Sequence, residues 1–196
     1  LVHIDSEAIG VDNAVQFALE RGFDGAFIWT FQGFPHVGLL QEVRKQIPLV
    51  FMDHLVRGME ADLITFDYFQ MAKDVVSSMA KAGRTRIAVS GMLDMLEVTH
   101  ERFSGYMSAM FESNLSPHAN DYVFCRTSGM RVYETELIEA RLAAEDRPDA
   151  IFVLQDQCVP TVASAVMQFG LRIPEDTLIG TIGDDVQVTI GGRTPI

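Results

Sequence analysis

Residues 150–170 read AIFVLQDQCVPTVASAVMQFG, and this stretch predicts one strand followed by one helix. The run Ala150–Leu154 is apolar throughout, as in a strand of a parallel sheet whose two faces are both covered by helices. A helix is predicted over Gln157–Phe169, and Gly170 is a typical residue for ending it. A buried strand that leads directly into a helix indicates a βα unit.

The same unit recurs on both sides of this stretch, so strands and helices are predicted to alternate along the chain. The predicted strands are Leu1–Ile4, Gly25–Trp29, Pro48–Met52, Leu63–Phe66, Arg86–Ser90, Tyr122–Cys125, Ala150–Leu154 and Leu178–Ile182. The predicted helices are Val11–Arg21, Val37–Lys45, Tyr68–Ala82, Leu96–Ser113, Val132–Ala144 and Gln157–Phe169. This alternation favours an α/β fold with parallel, doubly wound sheets. A junction is expected near Gly83–Thr85.

The composition excludes several classes of protein. The chain has 196 residues and a net charge of −12, so it is a poor candidate for binding a nucleic-acid backbone by itself. Two cysteines are too few for a disulfide scaffold, and no apolar run approaches the roughly 20 residues that span a bilayer. We therefore expect a cytoplasmic protein with no membrane partner. The N-terminus lacks the features of a signal peptide and starts in an apolar run, so we expect it to lie inside a larger protein.

Sequence motifs for catalysis or cofactor binding are not found. The sequence has no glycine-rich dinucleotide loop, no P-loop and no nucleophile elbow. The five histidines are scattered and lack the spacing of a metal site. Cys158 is more simply explained as a small buried residue than as a reactive thiol. The sequence therefore predicts a protein that is not an enzyme and that uses no metal or cofactor.

Aromatic, amide and carboxylate side chains follow the predicted strands, where ligands bind in open α/β sheets. They include Trp29, Asp67, Gln155, Asp156, Asp184 and Asp185. Such groups suit a polyhydroxylated ligand, because carboxylates and amides bond to hydroxyl groups and an aromatic ring stacks on the apolar side of a sugar. Asp67 and Asp156 are explained equally well as helix N-caps, so both interpretations stay open.

Several stretches resemble the LacI/GalR family of transcriptional regulators, and they occur in the family's order over nearly the whole chain. Residues 67–87 (DYFQMAKDVVSSMAKAGRTRI) resemble its D-n-x-x-g-x-x-a-x-x-x-L-x-x-x-G-H-x-x-I pattern, with Arg84 at the usual His position. Residues 102–106 (RFSGY) resemble R-x-x-G-[FWY], and residues 147–156 resemble R-P-[TD]-A-[IV]-x-x-x-[ND]-D. Residues 170–176 (GLRIPED) are similar to G-L-x-[IV]-P-x-D, and residues 21–28 (RGFDGAFI) to r-x-[IV]-D-G-[IV]-I.

The resemblance implies a periplasmic-binding-protein-like fold with two Rossmann-like subdomains, whose parallel sheets are flanked by helices. The implied domains are a partial N-terminal subdomain, 1–83, and a C-terminal subdomain, 84–196, that lacks its crossing strands. A sugar-like effector is expected between the two subdomains. The implied site residues are Arg102, Asp185, Asp184, Gln155, Asp156, Trp29, Asp67 and Gln70.

Individual roles also follow from the resemblance. Arg102 matches the family's effector-binding arginine, and Gln155 stands where the family commonly has a ligand-binding Asn or Asp. Either Asp184 or Asp185 matches an acid that binds sugar hydroxyls, and Asp185 is favoured.

The implied function is effector sensing that modulates DNA binding. The operator DNA would be bound by a helix-turn-helix domain that is not in this chain, and the regulator would be a homodimer. The helices Tyr68–Ala82 and Gln157–Phe169 are the candidates for the dimer face. Two alternatives stay open: a monomeric, exported sugar-binding protein for transport with the same fold, and a doubly wound enzyme. The enzyme would require a nucleophile, a metal cluster or a phosphate loop.

Overall fold

The computed structural model describes residues 11–29, 37–53, 55–56, 58–92, 97–125 and 135–183. The strands are β1 (Ala26–Trp29), β2 (Leu49–Met52), β3 (Asp62–Ile64), β4 (Ile87–Met92), β5 (Tyr122–Cys125), β6 (Ala150–Val153) and β7 (Leu178–Thr181). The helices are α1 (Val11–Glu20), α2 (Val37–Arg44), α3 (Tyr68–Lys81), α4 (Glu97–Glu112), α5 (Thr135–Ala143) and α6 (Val159–Gln168). These elements confirm the predicted ones with small shifts at their ends, except that the predicted strand Leu1–Ile4 lies outside the described residues. Short 3-10 turns at Ala119–Asp121 and Asp156–Cys158 were not predicted.

The chain forms two compact units that divide between Phe66 and Asp67. The sequence places the junction later, near Gly83–Thr85, which assigns α3 to the first unit. The structure assigns α3 to the second unit, because Ala72, Val76 and Met79 of this helix are buried in the same core as α4 and the second sheet. The ion pair between Lys73 and Glu112, at 2.7 Å, also joins α3 to α4.

The first unit contains a parallel three-stranded sheet in the order β1-β2-β3. Leu40 of α2 and Phe51 of β2 are buried in its core, and Val15 of α1 packs against them. On the opposite face, Phe27 and Trp29 are 62% and 55% exposed. Both of the described helices of this unit, α1 and α2, contribute to the same core.

The second unit contains a parallel four-stranded sheet in the order β5-β4-β6-β7. Helices α3 and α4 cover one face and α5 and α6 cover the other, so β4 and β6 are buried almost throughout. This confirms the expected two-sided cover for the second sheet. The chain passes from β4 to β5 on one side and returns to β6 on the other, so the strand order reverses between β4 and β6. Such a switch point opens a crevice at the carboxyl ends of the two strands.

The RFSGY motif joins α4 to both α3 and the sheet. A side-chain carbon on Gly105 would overlap the carbonyl oxygen of Phe69 and would lie 2.9 Å from Cβ of Ala72. Tyr106 is fully buried, its ring stacks on Phe152 with centroids 6.3 Å apart, and its hydroxyl donates to the carbonyl oxygen of Ile87 at 2.8 Å. Gly105 therefore permits the contact between the two helices, and Tyr106 fixes α4 on the sheet.

The GLRIPED motif forms a closed turn before β7. The carboxylate of Asp176 accepts hydrogen bonds from the backbone N–H and from Nε and Nη2 of Arg172, at 2.9, 2.9 and 3.0 Å. The Arg172 side chain is the main reason that the pKa of Asp176 is lowered from 3.8 to about 2. Arg84, at the position where the resembling family has His, donates to the carbonyl oxygens of Pro174 and Glu175 at 2.7 and 3.2 Å. This motif therefore anchors the end of α3 to the start of β7.

We expect Gly105→Ala to lower the free energy of unfolding of the second unit by about 1–3 kcal/mol, because the added methyl group forces α3 and α4 apart. Urea denaturation followed by circular dichroism measures this change. Gly38→Ala in α2 is the matched control, since nothing lies within 4 Å of the added carbon. The control should be neutral or stabilising by up to about 1 kcal/mol. Equal effects of the two substitutions would contradict the close-contact explanation.

We expect the Arg172–Asp176 pair to stabilise the protein at neutral pH and to lose this effect in acid. The pKa of Asp176 is lower in the folded chain than its ordinary value of 3.8, so its stabilising contribution is complete above that value and is lost as the pH falls toward about 2. Asp176→Asn should therefore destabilise at pH 7 and make little difference near pH 2. Denaturation curves at several pH values test this, and Arg172→Met should remove the same pH dependence. A difference between wild type and Asp176→Asn that stays constant from pH 7 to pH 2 would refute it.

Candidate functional site

Arg102 lies at the carboxyl end of the second sheet, in the crevice between β4 and β6. Its Nη1 donates to the carbonyl oxygen of Leu154 at 2.5 Å, and its guanidinium lies 4.6 Å from the centroid of the Tyr68 ring. Tyr68 is the first residue of α3 and is only 6% exposed, so the ring forms a firm support for the cation. The sequence predicted Arg102 as a site residue and missed Tyr68, because nothing in the local pattern links positions 68 and 102.

The guanidinium of Arg102 has donor groups that the described residues leave unused. Its Nε is buried and has no hydrogen-bond partner, and its Nη2 donates to no acceptor within the part of the chain that the structure describes. A planar guanidinium presents its N–H groups as a fork that matches hydroxyl or carboxylate oxygens. The arrangement therefore suits a ligand that brings oxygen acceptors to the free Nη2 side of this fork.

Gln155 is bound to the end of β4. Its Oε1 accepts from the backbone N–H of Met92 at 2.9 Å, and its Nε2 donates to the carbonyl oxygen of Met92 at 2.8 Å. Nε2 also lies 3.3 Å from the hydroxyl of Thr99 in α4. The sequence predicted Gln155 as a residue that contacts the effector. In this structure the carboxamide holds β6, β4 and α4 together.

Two predicted acids take part in local capping. Oδ1 of Asp67 accepts from the backbone N–H of Gln70 at 2.8 Å and caps α3, as the N-cap interpretation expected. Oδ1 of Asp156 accepts from the backbone N–H of Gln157 at 2.8 Å. The predicted site residue Gln70 donates through Nε2 to Asp74 at 2.8 Å, along the same helix. For each acid, the second carboxylate oxygen forms no hydrogen bond with the described residues.

Of the remaining predicted residues, the structure describes Trp29 but not Asp184 and Asp185. A side-chain carbon on Gly183 would lie 2.6 Å from Cβ of Asp156, so the chain after β7 touches the chain after β6. Asp184 and Asp185 follow Gly183 directly and lie outside the described residues. Trp29 ends β1 in the first unit and is half exposed. Within the second unit, the structure therefore brings Arg102, Gln155 and Asp156 to one edge, together with Tyr68.

The ranges that the structure describes lack two other kinds of feature. No three His, Cys, Asp or Glu side chains in those ranges converge on a point where they could hold a metal ion. None of the helices in the same ranges combines the length and the apolar character needed to cross a membrane.

Comparison with known proteins gives a match to one family model, the periplasmic binding protein-like domain, over residues 76–190. Among curated proteins, catabolite control protein A of Priestia megaterium is 30% identical over 141 residues, which cover 70% of this chain and 41% of that protein. The HTH-type transcriptional repressor PurR of Aliivibrio salmonicida is 30% identical over 155 residues, which cover 75% of this chain and 44% of the repressor. The chain thus spans less than half the length of these two relatives.

Solved structures show the same fold. A sugar-binding transcriptional regulator of the LacI family from Escherichia coli superposes with a TM-score of 0.70 at 18% identity, over 91% of this chain and 63% of that one. The transcription regulator CcpA of Lactococcus lactis superposes with a TM-score of 0.69 at 24% identity, over 92% of this chain and 65% of that one. The fold predicted from the alternation of strands and helices is therefore confirmed.

Proposed function

The chain belongs to the LacI family of transcriptional regulators, as a periplasmic-binding-protein-like domain, and on that premise we propose that it senses a sugar-like effector. Effector binding would modulate how a separate helix-turn-helix domain binds operator DNA. The role is that of a sensor and not of an enzyme, in line with relatives that are repressors. A regulator of this kind acts in the cytoplasm, where its DNA is.

The observation that carries this proposal is the position of Arg102. The guanidinium lies at the switch point between β4 and β6, where ligands of open parallel sheets bind. It is held by Leu154 and Tyr68, and it keeps Nη2 for an acceptor that the described residues do not supply. A fixed cation with an unused donor is the arrangement expected of a preformed binding group, because the side chain then loses little conformational entropy when a ligand binds.

The chemistry around Arg102 favours a polyhydroxylated ligand. Asp156 offers a carboxylate oxygen next to the end of β7, and Asp67 offers one at the start of α3. The arginine can donate hydrogen bonds to the oxygen atoms of sugar hydroxyl groups, and the carboxylates can accept hydrogen bonds from the same kind of group. Asp184 or Asp185 and the ring of Trp29 complete the proposed set. The name of the sugar-binding Escherichia coli regulator supports the same ligand class.

The proposed mechanism is a shift between two arrangements of the regulator. An effector changes such an equilibrium only by the difference in its affinity for the two states. A ligand bound to Arg102 would favour one arrangement, and in a dimer this would change the spacing of the two DNA-reading heads on their half-sites. The same coupling is reciprocal, so operator DNA would change the affinity for the effector by the same factor.

We propose that a homodimer forms through α6. The outward side of this helix bears Pro160, Thr161, Ser164 and Gln168, and with Glu139 of α5 they line a shallow depression. These are small or uncharged side chains, apart from Glu139, and so permit close approach of a second helix. Helix α3, the other helix that the sequence proposed as a dimer face, buries Ala72, Val76 and Met79 in the core of its own unit and leaves Phe69 and Met71 partly exposed. We take α6 as the proposed interface and α3 as the alternative.

We expect one class of compound in a panel of sugars, polyols, sugar phosphates and purines to raise the thermal stability of the full-length regulator. At about 100 times its dissociation constant, an effector adds roughly 2.7 kcal/mol to the free energy of unfolding. Arg102→Met should weaken the binding of that compound by roughly 10- to 100-fold, because a hydrogen bond to a charged group contributes about 1.5–3 kcal/mol. Differential scanning fluorimetry followed by calorimetric titration measures both effects.

Arg172→Met is the matched control for this experiment, since Arg172 forms an ion pair with Asp176 in the turn before β7, away from the crevice. The control should keep the affinity of the wild type. If Arg102→Met and Arg172→Met bind the compound equally well, Arg102 is not the effector-binding group. If no compound shifts the full-length protein, the sugar-sensing proposal fails.

We expect Ser164→Arg to convert the dimer into a monomer, because a long charged side chain at the centre of the α6 surface prevents close packing. Ser78→Arg on the exposed side of α3 is the matched control and should leave the dimer intact. Sedimentation velocity over a range of protein concentrations distinguishes the two. Dissociation by Ser78→Arg alone would assign the interface to α3, and a monomeric wild-type regulator would favour the transport-type alternative.

A further inference from the structure

We propose that Gln155 is a positioning residue that fixes Arg102, and that it does not contact the effector. This inference rests on the proposed function, since it concerns the same site. It departs from the expectation that the sequence raised for position 155, where the resembling family commonly has a ligand-binding side chain.

The polar atoms of Gln155 are all engaged. A carboxamide has two N–H donors and an acceptor oxygen. Here the Nε2 group reaches the carbonyl oxygen of Met92 at 2.8 Å and the hydroxyl of Thr99 at 3.3 Å, and Oε1 accepts from the N–H of Met92 at 2.9 Å. Oε1 also lies 3.7 Å from Sγ of Cys158, within reach of a weak S–H bond. An effector that bonded to Gln155 would have to displace these partners.

The fold accommodates this arrangement through Gly91. A side-chain carbon at Gly91 would overlap Oε1 of Gln155 and would lie 2.9 Å from Cβ of Leu154. The backbone of Gly91 has a φ of +145°, in a region that other residues rarely adopt. Both facts show that the end of β4 is shaped to receive the carboxamide of Gln155.

The contacts of Gln155 are linked to Arg102 through the first turns of α4. Thr99 is 3% exposed and precedes Arg102 by three residues, so both side chains lie on the same side of the helix. Two hydrogen bonds therefore attach this part of α4 to residues 154 and 155. One joins Gln155 to Thr99, and the other joins Arg102 to the carbonyl oxygen of Leu154. Among the described residues, the guanidinium contacts that carbonyl group and the Tyr68 ring, so its place depends on the position of α4.

The opposite end of the same strand pair provides a matched control. Asp149 accepts from the N–H and hydroxyl of Thr85 at 2.9 and 3.1 Å, and from the N–H of Arg86 at 3.0 Å. It thus joins the start of β6 to the start of β4, as Gln155 joins their ends. Removal of either side chain costs hydrogen bonds between the two strands, and only Gln155 is connected to Arg102.

The test is the Nε–H signal of Arg102 in a ¹⁵N–¹H NMR spectrum of the 196-residue chain without any effector, assigned by its loss in Arg102→Lys. In the wild type this buried N–H should exchange slowly with solvent. Gln155→Met should speed its exchange by about tenfold or more and shift the signal, whereas Asp149→Ala should leave it within about twofold of the wild type. Gln155→Glu, which keeps the acceptor for Met92 and loses the amide donors, should give an intermediate effect and guards against misfolding of the first variant.

Two results would overturn the proposal. In the first, the Gln155 variants change the Arg102 signal no more than Asp149→Ala does, so that Gln155 is only a structural link. In the second, the Gln155 variants lose affinity for a compound found in the thermal panel while the Arg102 signal is unchanged, which would make Gln155 a direct ligand. Because the NMR measurement uses no effector, a failure here is distinct from a failure of the proposed function.

Discussion

Burial of β4 and β6 under helices on both faces is the constraint on which the second unit depends. The side chains on both faces of these two strands are mainly apolar, so α3 and α4 must cover one face and α5 and α6 must cover the other. The helices that follow β4 and β6 consequently leave the sheet in opposite directions. The crevice that opens between them is a result of this cover, and Arg102 lies in it because α4 begins there.

Polar side chains tie the ends of these two buried strands together. Asp149 links their amino ends and Gln155 links their carboxyl ends, each through several hydrogen bonds to backbone groups. A buried backbone group that lacks a hydrogen-bond partner costs about 1–3 kcal/mol. These links therefore stabilise the protein mainly because they supply partners to backbone groups at the strand ends. At the carboxyl end the same link also sets the position of the helix that carries the proposed binding group.

The motifs that resemble a known family divide into structural and binding roles when their contacts are known. Gly105 is required by the contact between α3 and α4, and Asp176 closes a turn with Arg172. Arg102 combines a fixed position with unused donors at the carboxyl end of the sheet. The Nε of Arg84 is also buried without a partner among the described residues, but this side chain lies at the amino end of the strands, where it donates to Pro174 and Glu175. A motif match therefore indicates the family without indicating which of its residues bind the ligand.

The sequence by itself determined the order and kind of the elements, because an unbroken apolar run predicts a buried strand and a glycine marks the end of a helix. It also predicted Arg102 through the resemblance, and it kept open the capping role that Asp67 has. Three other features were decided only by tertiary structure: the Tyr68 ring beneath Arg102, the engagement of Gln155 with Met92 and Thr99, and the assignment of α3 to the second unit. Each depends on contacts between residues far apart in the chain, and periodicity and spacing carry information only about neighbours in sequence.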